Sequence, residues 1–288
     1  MNAEFKFRPI PFAWVAIHPK PIGVIQLIGG AFFGSFPTIF YRYIAKRLFE
    51  SGYTVVARPF RFTFRHWPVA IGLVKEQKTL FQGILEEAKK LGYDYSIYEE
   101  DPSAKSSNYF WLGHSLGTKY IALLELLSDL EFKKLQVILG DCVGKDQEKQ
   151  IEDSLRDVEL KSISLINQPS VLMAPVISGT SSAVPVPFIA DLVDRLGFGV
   201  LPTPEQTYCL IKNSSLFNLT ALISFSKDKI AEEAGTVRWL QQNLPNNPFP
   251  LIDEKLPGKH LTPLGWLRGN DQLADTVIEV ITKLAERV

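Results

Sequence analysis

Cysteine is scarce in this chain: Cys142 and Cys209 are the only two among 288 residues, too few for the disulfide framework of a small secreted scaffold. Their scarcity points to a reducing compartment. Long apolar runs are missing as well. Prolines and charges interrupt every one before it reaches the ~20 residues that span a bilayer. The opening segment MNAEFKFRPIPFAWVAIHPKP is broken up in the same way and has no signal-peptide core. Neither sign of charge is in excess, since Lys plus Arg and Asp plus Glu both number 31, so no nucleic-acid partner is expected. Internal repeats, low-complexity tracts, glycine-rich phosphate cradles and His/Cys metal spacings are lacking too, and no cofactor is expected. These absences leave a soluble, cytoplasmic globular protein, whose 46% hydrophobic residues suffice for a sizeable core. The length favours one large domain over two.

Short apolar runs alternate with helical patterns along the chain. WVAIH, GVIQLIGG, YTVVARPF, NYFWLG, LQVILGDCV, NLTALISFS and FPLIDEKL read as strands. Between and after them, SFPTIFYRYIAKRLFESG, WPVAIGLVKEQKTLFQGILEEAKKLG, TKYIALLELLSDL, AEEAGTVRWLQQNL and a segment from about Asn270 read as helices, two of them closed by glycine. Repeated strand–helix–strand order predicts an α/β protein with a largely parallel sheet flanked by helices. Residues 144–215 interrupt the pattern with a charged helix-like run followed by a Pro/Ser-rich stretch. Some 70 residues exceed any ordinary connection between core strands, and the expectation is an inserted lid or cap.

The chemistry concentrates in YFWLGHSLGTKYIALLEL, where Gly113 and Gly117 flank Ser115 between a strand and a helix. A G-x-S-x-G turn in that setting exposes a serine at a strained corner, with small residues keeping strand and helix apart. An activated serine needs a base, and the base needs an orienting acid. His260, in the Gly/Pro-rich loop KLPGKHLTPLGW, follows the last predicted strand and is the candidate base. His114 is expected to point away into packing, while His18 and His66 read as surface or packing histidines. Asp228, in TALISFSKDKIAEEAG after a strong strand, is the candidate acid, with helix capping as its plainer role. Asp141, ending the predicted strand LQVILGDCV, is the rival acid. A developing oxyanion needs backbone donors from two places. The N–H of Leu116 is one, and the turn QLIGGAFFGSFP offers Ala31 first and Gly30 next.

Gly29-Gly30-Ala31, Gly113 to Gly117, Asp228 and His260, in that order, resemble the α/β-hydrolase fold over most of the chain. More closely, AWVAIHPKPIGVIQLIGGAFFGSFPTIFYRY with ARPFRFTFRHWPVAIGLVKEQ is similar to domain-of-unknown-function family 1350, found in cyanobacteria and plastids. That resemblance implies the hydrolase fold and a photosynthetic context, with the plastid stroma as the equivalent compartment in plants; it implies no substrate. Two departures stand out. Many hydrolases have His-Gly where this chain has Gly29-Gly30, and many have an Asp with a glycine-rich turn where it has ARPFRFTFRHW. In the latter, Phe60, Phe62 and Phe64 alternate with Arg61, Thr63 and Arg65. If it borders the cleft, Arg58, Arg61 or Arg65 could grip an acidic substrate group; a solvated basic loop over packed aromatics is the plainer alternative.

The functional expectation is a serine hydrolase, whether esterase, thioesterase or lipase-like, acting through an acyl-enzyme on a small-molecule ester or thioester that is hydrophobic or lipid-like. An acyltransferase using the same triad and a non-catalytic α/β-hydrolase-like binding or scaffold protein stand as alternatives. Peripheral membrane contact and oligomeric state are left open.

Overall fold

The computed structural model describes every residue except 1–3, 100–107, 129–131, 157, 159–164, 166, 178–198, 215–216 and 266–267. Eight strands form one sheet in the order β1-β2-β4-β3-β5-β6-β7-β8. β1 (Arg8–Ile10) and β2 (Ala13–Ala16) make an antiparallel hairpin at one edge, and β2 runs antiparallel to β4 (Tyr53–Arg58). All other pairings are parallel, through β3 (Gly23–Ile28), β5 (Tyr109–His114), β6 (Ser170–Met173), β7 (Thr220–Phe225) and β8 (Ile252–Leu256). The six residues of β3, β4, β5 and β7 are all buried, as expected of strands covered on both faces.

Helices supply the cover. α1 (Pro37–Phe40) and α2 (Arg42–Glu50) follow β3, α3 (His66–Leu91) and the short α4 (Ser96–Glu99) follow β4, and α5 (Leu116–Leu127) follows β5. Next come α6 (Phe132–Val143) and α7 (Lys145–Leu155), then α8 (Pro204–Asn213) before β7. α9 (Lys229–Ala234) and α10 (Thr236–Asn243) precede β8, and α11 (Asp271–Ala285) ends the fold. Ile44, Leu48 and Phe49 of α2 pack with Val277, Ile281 and Leu284 of α11 in one cluster. On the other side α3 and α5 form a second cluster that extends to α6, α7 and α8.

Two expectations change here. LQVILGDCV is not a strand but most of α6. Leu135, Leu139, Cys142 and Val143 are buried while Val137 is 64% exposed, the i, i+4, i+7, i+8 spacing of a helix face. The strand after the elbow helix is instead β6, the four residues Ser-Val-Leu-Met in the short stretch between Pro169 and Pro175. It lies inside the 144–215 stretch, so that stretch is not one continuous insertion between core strands. The described excursions from the sheet are α6–α7 before β6, and residues 174–177, 199–203 and α8 after it; 178–198 lies outside the described residues. Cys142 of α6 and Cys209 of α8 are joined in a disulfide with Cα atoms 5.5 Å apart. Two cysteines thus serve as one staple between packed helices, where the sequence suggested reduced thiols. None of the described helices is long and apolar enough to cross a membrane.

Glu125 of α5 is 4% exposed, and its Oε1 accepts a 3.0 Å bond from Ser170 Oγ of β6. Burial raises this carboxyl from 4.5 to about 8, only partly offset by the Ser170 bond. The folded chain therefore keeps a proton that the unfolded chain releases above 4.5. Stability from this group is complete below 4.5 and is lost as pH rises through 8. Glu125→Gln, which keeps the shape without the charge, should match the wild type in urea denaturation at pH 4. At pH 9 it should be the more stable by on the order of a few kcal/mol, at ~1.4 kcal/mol per pK unit.

Candidate active site

In an open parallel sheet, neighbouring strands whose connections leave in opposite directions open a crevice at their carboxyl ends. β3 and β5 are that pair, since β3 leads out to β4 on one side and β5 leads on to β6 on the other. The turn at Gly29–Ala31 leaves the end of β3, and Ser115 leaves the end of β5.

Ser115 has φ 53° and ψ −118°, a left-handed conformation that costs a non-glycine residue ~1–3 kcal/mol. It persists because its surroundings over-determine it. Its N–H bonds Met173 O of β6 at 3.0 Å, while its carbonyl accepts from Thr118 N–H at 3.1 Å and Thr118 Oγ1 at 2.6 Å. The approach of α5 to the sheet requires glycine at 117, where a Cβ would sit 2.2 Å from Ile28 O. Leu116 is the first residue of α5, so its N–H has no intrahelical acceptor.

His260 reaches Ser115 from the loop after β8, with Nε2 2.8 Å from Ser115 Oγ. Its Nδ1 lies 2.9 and 3.1 Å from the Asp228 carboxylate oxygens. A carboxylate only accepts, so Nδ1 carries the proton and Nε2 is left to accept from the serine hydroxyl. Asp228 also caps α9, its Oδ1 accepting from Ala231 N–H at 2.9 Å. Capping and contact with His260 are thus the same placement. Burial would raise the Asp228 carboxyl, but the bonds from His260 and Ala231 outweigh it and hold it below its ordinary value. Asp141, the rival acid, is exposed on α6 and makes no contact with His260. It occupies a helix surface because the expected strand end is absent.

His114 does not merely pack. Its Nε2 lies 2.9 Å from the backbone O of His260, and its Nδ1 lies 2.7 Å from Tyr41 Oη. The carbonyl can only accept, so Nε2 carries the proton and Tyr41 donates to Nδ1. Tyr41 in turn accepts the Gly30 N–H at 2.7 Å. Gly30 is therefore spent and cannot serve an oxyanion, contrary to expectation. Ala31 N–H and Leu116 N–H form no hydrogen bond with other described residues, and both residues border the same cavity as Ser115 and His260. Burial first, then the nearby His260, lowers the His114 imidazole to about 3. Tyr41 was invisible to sequence reasoning because a tyrosine between two helical turns reads as core, and its partner lies 73 residues away.

The cavity over Ser115 measures about 170 Å³. Phe62 and Phe64 line it, and Arg58, Arg61 and Arg65 do not. The alternation in this segment is real, but the rings face the cleft. Arg58 is fully buried and binds Glu76 at 2.8 Å and Gln26 at 3.0 Å. Arg61 is exposed to solvent, and Arg65 borders a neighbouring cavity with Trp67 and Gln147. Above the segment, Leu201 N–H bonds Phe64 O and His66 N–H bonds Leu201 O, both at 2.8 Å. Buried Lys119 donates to Pro202 O at 2.6 Å. Among the described residues no three His, Cys, Asp or Glu side chains gather as metal ligands would.

Solved structures share this architecture across nearly the whole chain. A Lactobacillus plantarum protein assigned as a carboxylesterase superposes with a TM-score of 0.55 at 13% identity, covering 96% of this chain and 93% of its own. A Pyrobaculum calidifontis esterase gives 0.52 at 16% identity, with 99% and 87% covered. A butyrate-bound thermophilic esterase of Thermogutta terrifontis gives 0.50 at 15%, with 95% and 87% covered. The chain has the α/β-hydrolase fold. Within that fold, residues 6–138 match a family described as protein of unknown function (DUF1350). No curated protein matches the sequence. The matched stretch carries β1 to β5, the Gly29–Ala31 turn and Ser115, while Asp228 and His260 lie beyond it.

The Tyr41–His114 bonds give two expectations. Tyr41→Phe removes the donor to Nδ1 and strands the buried Gly30 N–H, which should cost about 1–3 kcal/mol in urea denaturation at pH 7. His114 stays neutral in the folded chain down to about 3, whereas an unfolded imidazole protonates near 6.5. Its contribution is therefore complete above 6.5 and is lost as pH falls toward 3. The stability advantage of wild type over His114→Asn should shrink steadily between pH 7 and pH 4.

Proposed function

We propose that the protein is a serine hydrolase of esters or thioesters, with Ser115 as nucleophile, His260 as general base and acid, and Asp228 orienting the imidazole. One observation carries this reading. A serine held at positive φ at the carboxyl end of β5 meets Nε2 of His260 at 2.8 Å, while Asp228 holds Nδ1 at 2.9 Å.

Each step follows from that geometry. Ser115 Oγ bonds to the substrate carbonyl carbon as its proton passes to Nε2, and the carbonyl π pair moves onto oxygen. The N–H groups of Ala31 and Leu116 are the candidate donors to that oxyanion. Collapse breaks the bond to the leaving group, which takes the proton from Nε2 and leaves an acyl-serine. Water then repeats the sequence and releases the acid. His114 suits this cycle by remaining neutral, since its ring centroid is 5.3 Å from that of His260 and a charge there would oppose the imidazolium. The likeness to esterases supports the reading at the level of fold. We further assign α6, α7, residues 174–177 and 199–203 and α8 as a cap, tied together by Cys142–Cys209 and pinned over the site at Leu201 and Pro202.

A fluorophosphonate probe should label the protein at Ser115, as read by peptide mass spectrometry, and Ser115→Ala should abolish labelling. Asp228→Asn should lower ester turnover by about 10⁴ with the fold intact, through the wrong imidazole tautomer. An unlabelled Ser115 in folded protein would mark a non-catalytic relative instead.

A further inference from the structure

The residues lining the cavity over Ser115 fall into a shielded set and an exposed set. His66, Val176 and Val200 are 2%, 6% and 5% exposed and, with partly buried Phe62 and Phe64, are the shielded set, which we take as the closed end. Ile230 and Leu261, 45% and 48% exposed, border the open end. Ile230 is two residues from Asp228 and Leu261 follows His260, so the open end lies on the side of the base. The leaving group must take its proton from His260 Nε2, so it departs on that side. The acyl group then occupies the closed end.

Size and polarity of that end define what fits. An apolar cavity of about 150 Å³ holds a benzene ring, and this one measures about 170 Å³ for all that it contains. No Asp, Glu, Lys or Arg is among its described lining residues. The two histidines beside the serine's own partner bring no charge: burial lowers His66 to about 2 and His114 to about 3. A carboxylate or phosphate on the acyl group would lose its hydration with no cation among the described lining residues to offset its charge.

Resting on the serine-hydrolase reading, we infer that the substrate is an ester or thioester of a small, uncharged acyl group, of about six to eight non-hydrogen atoms in an apolar or flat unit, with wide tolerance in the alcohol or thiol. This narrows the expectation of a lipid-like substrate: long acyl chains do not fit the closed end, and the open end faces the part of the substrate that leaves.

The test is a series of p-nitrophenyl esters on the wild-type protein: acetate, butyrate, hexanoate, benzoate, decanoate, palmitate and the monoanionic hemisuccinate. The kcat/KM should peak at butyrate, hexanoate or benzoate. It should fall by about tenfold or more for decanoate, and by a similar factor for hemisuccinate against butyrate. Phe64→Ala and Phe62→Ala, which enlarge the closed end, should each move the optimum to longer chains. Decanoate or palmitate turned over as well as butyrate, or hemisuccinate as fast as butyrate, would overturn the inference. Fluorophosphonate labelling of Ser115 in the same samples separates the two readings. A labelled serine with the wrong ester preference sinks only the acyl-group inference, and a serine neither labelled nor active on any ester sinks both.

Discussion

The site depends on one uncharged imidazole. His114 uses one ring nitrogen to accept from Tyr41 and the other to donate to the backbone of His260. Through Tyr41 it also reaches the turn at Gly30. Three segments that meet only in the folded state, the turn after β3, the corner after β5 and the loop after β8, are therefore joined through a single side chain. The ring has no spare nitrogen, and burial lowers it to about 3, so both of its bonds persist with the ring neutral. Buried networks of this kind stabilise only when every member is satisfied, and here every member is.

Around that ring, steric exclusion does what hydrogen bonds cannot. Gly117 lets α5 start almost in contact with the end of β3, and no residue with a Cβ could take its place without displacing the Ile28 carbonyl. Leu116 at the start of α5 and Ala31 after β3 thereby border one cavity. Strain at Ser115 is the local cost of this arrangement, and bonds from Met173 and Thr118 offset it.

Much of this was legible in the residues. Strands covered on both faces read as continuous apolar runs, so β3, β4, β5 and β7 could be placed from composition alone. Ser115, Asp228 and His260 were each recognisable by local context: a turn between strand and helix, an acid at a strand end, a histidine in a late loop. Failures came where the deciding contact was distant. LQVILGDCV is apolar enough for a strand, and only the packing of Leu135 and Leu139 under α7 and α8 settles it as helix. SVLM was too short to stand out from its prolines, although those prolines are what bound it. Gly30 was nominated as a donor because a glycine turn exposes N–H groups, but Tyr41 claims that N–H from the junction of α1 and α2. The cysteines were read by their number, whereas their pairing depends on the packing of α6 against α8.

The segment from Phe60 to Arg65 has a consequence for how such a protein can change. Phe62 and Phe64 face the cleft, while Arg61 faces water and Arg65 turns toward the neighbouring cavity and the Leu201 strap. Alternate positions in six residues thus answer to different selective pressures. Surface charge can drift at 61 without touching what the cleft admits, and the cleft can be reshaped at 62 and 64 without altering the face shown to other molecules. Substrate preference and surface character are separately evolvable within one short loop.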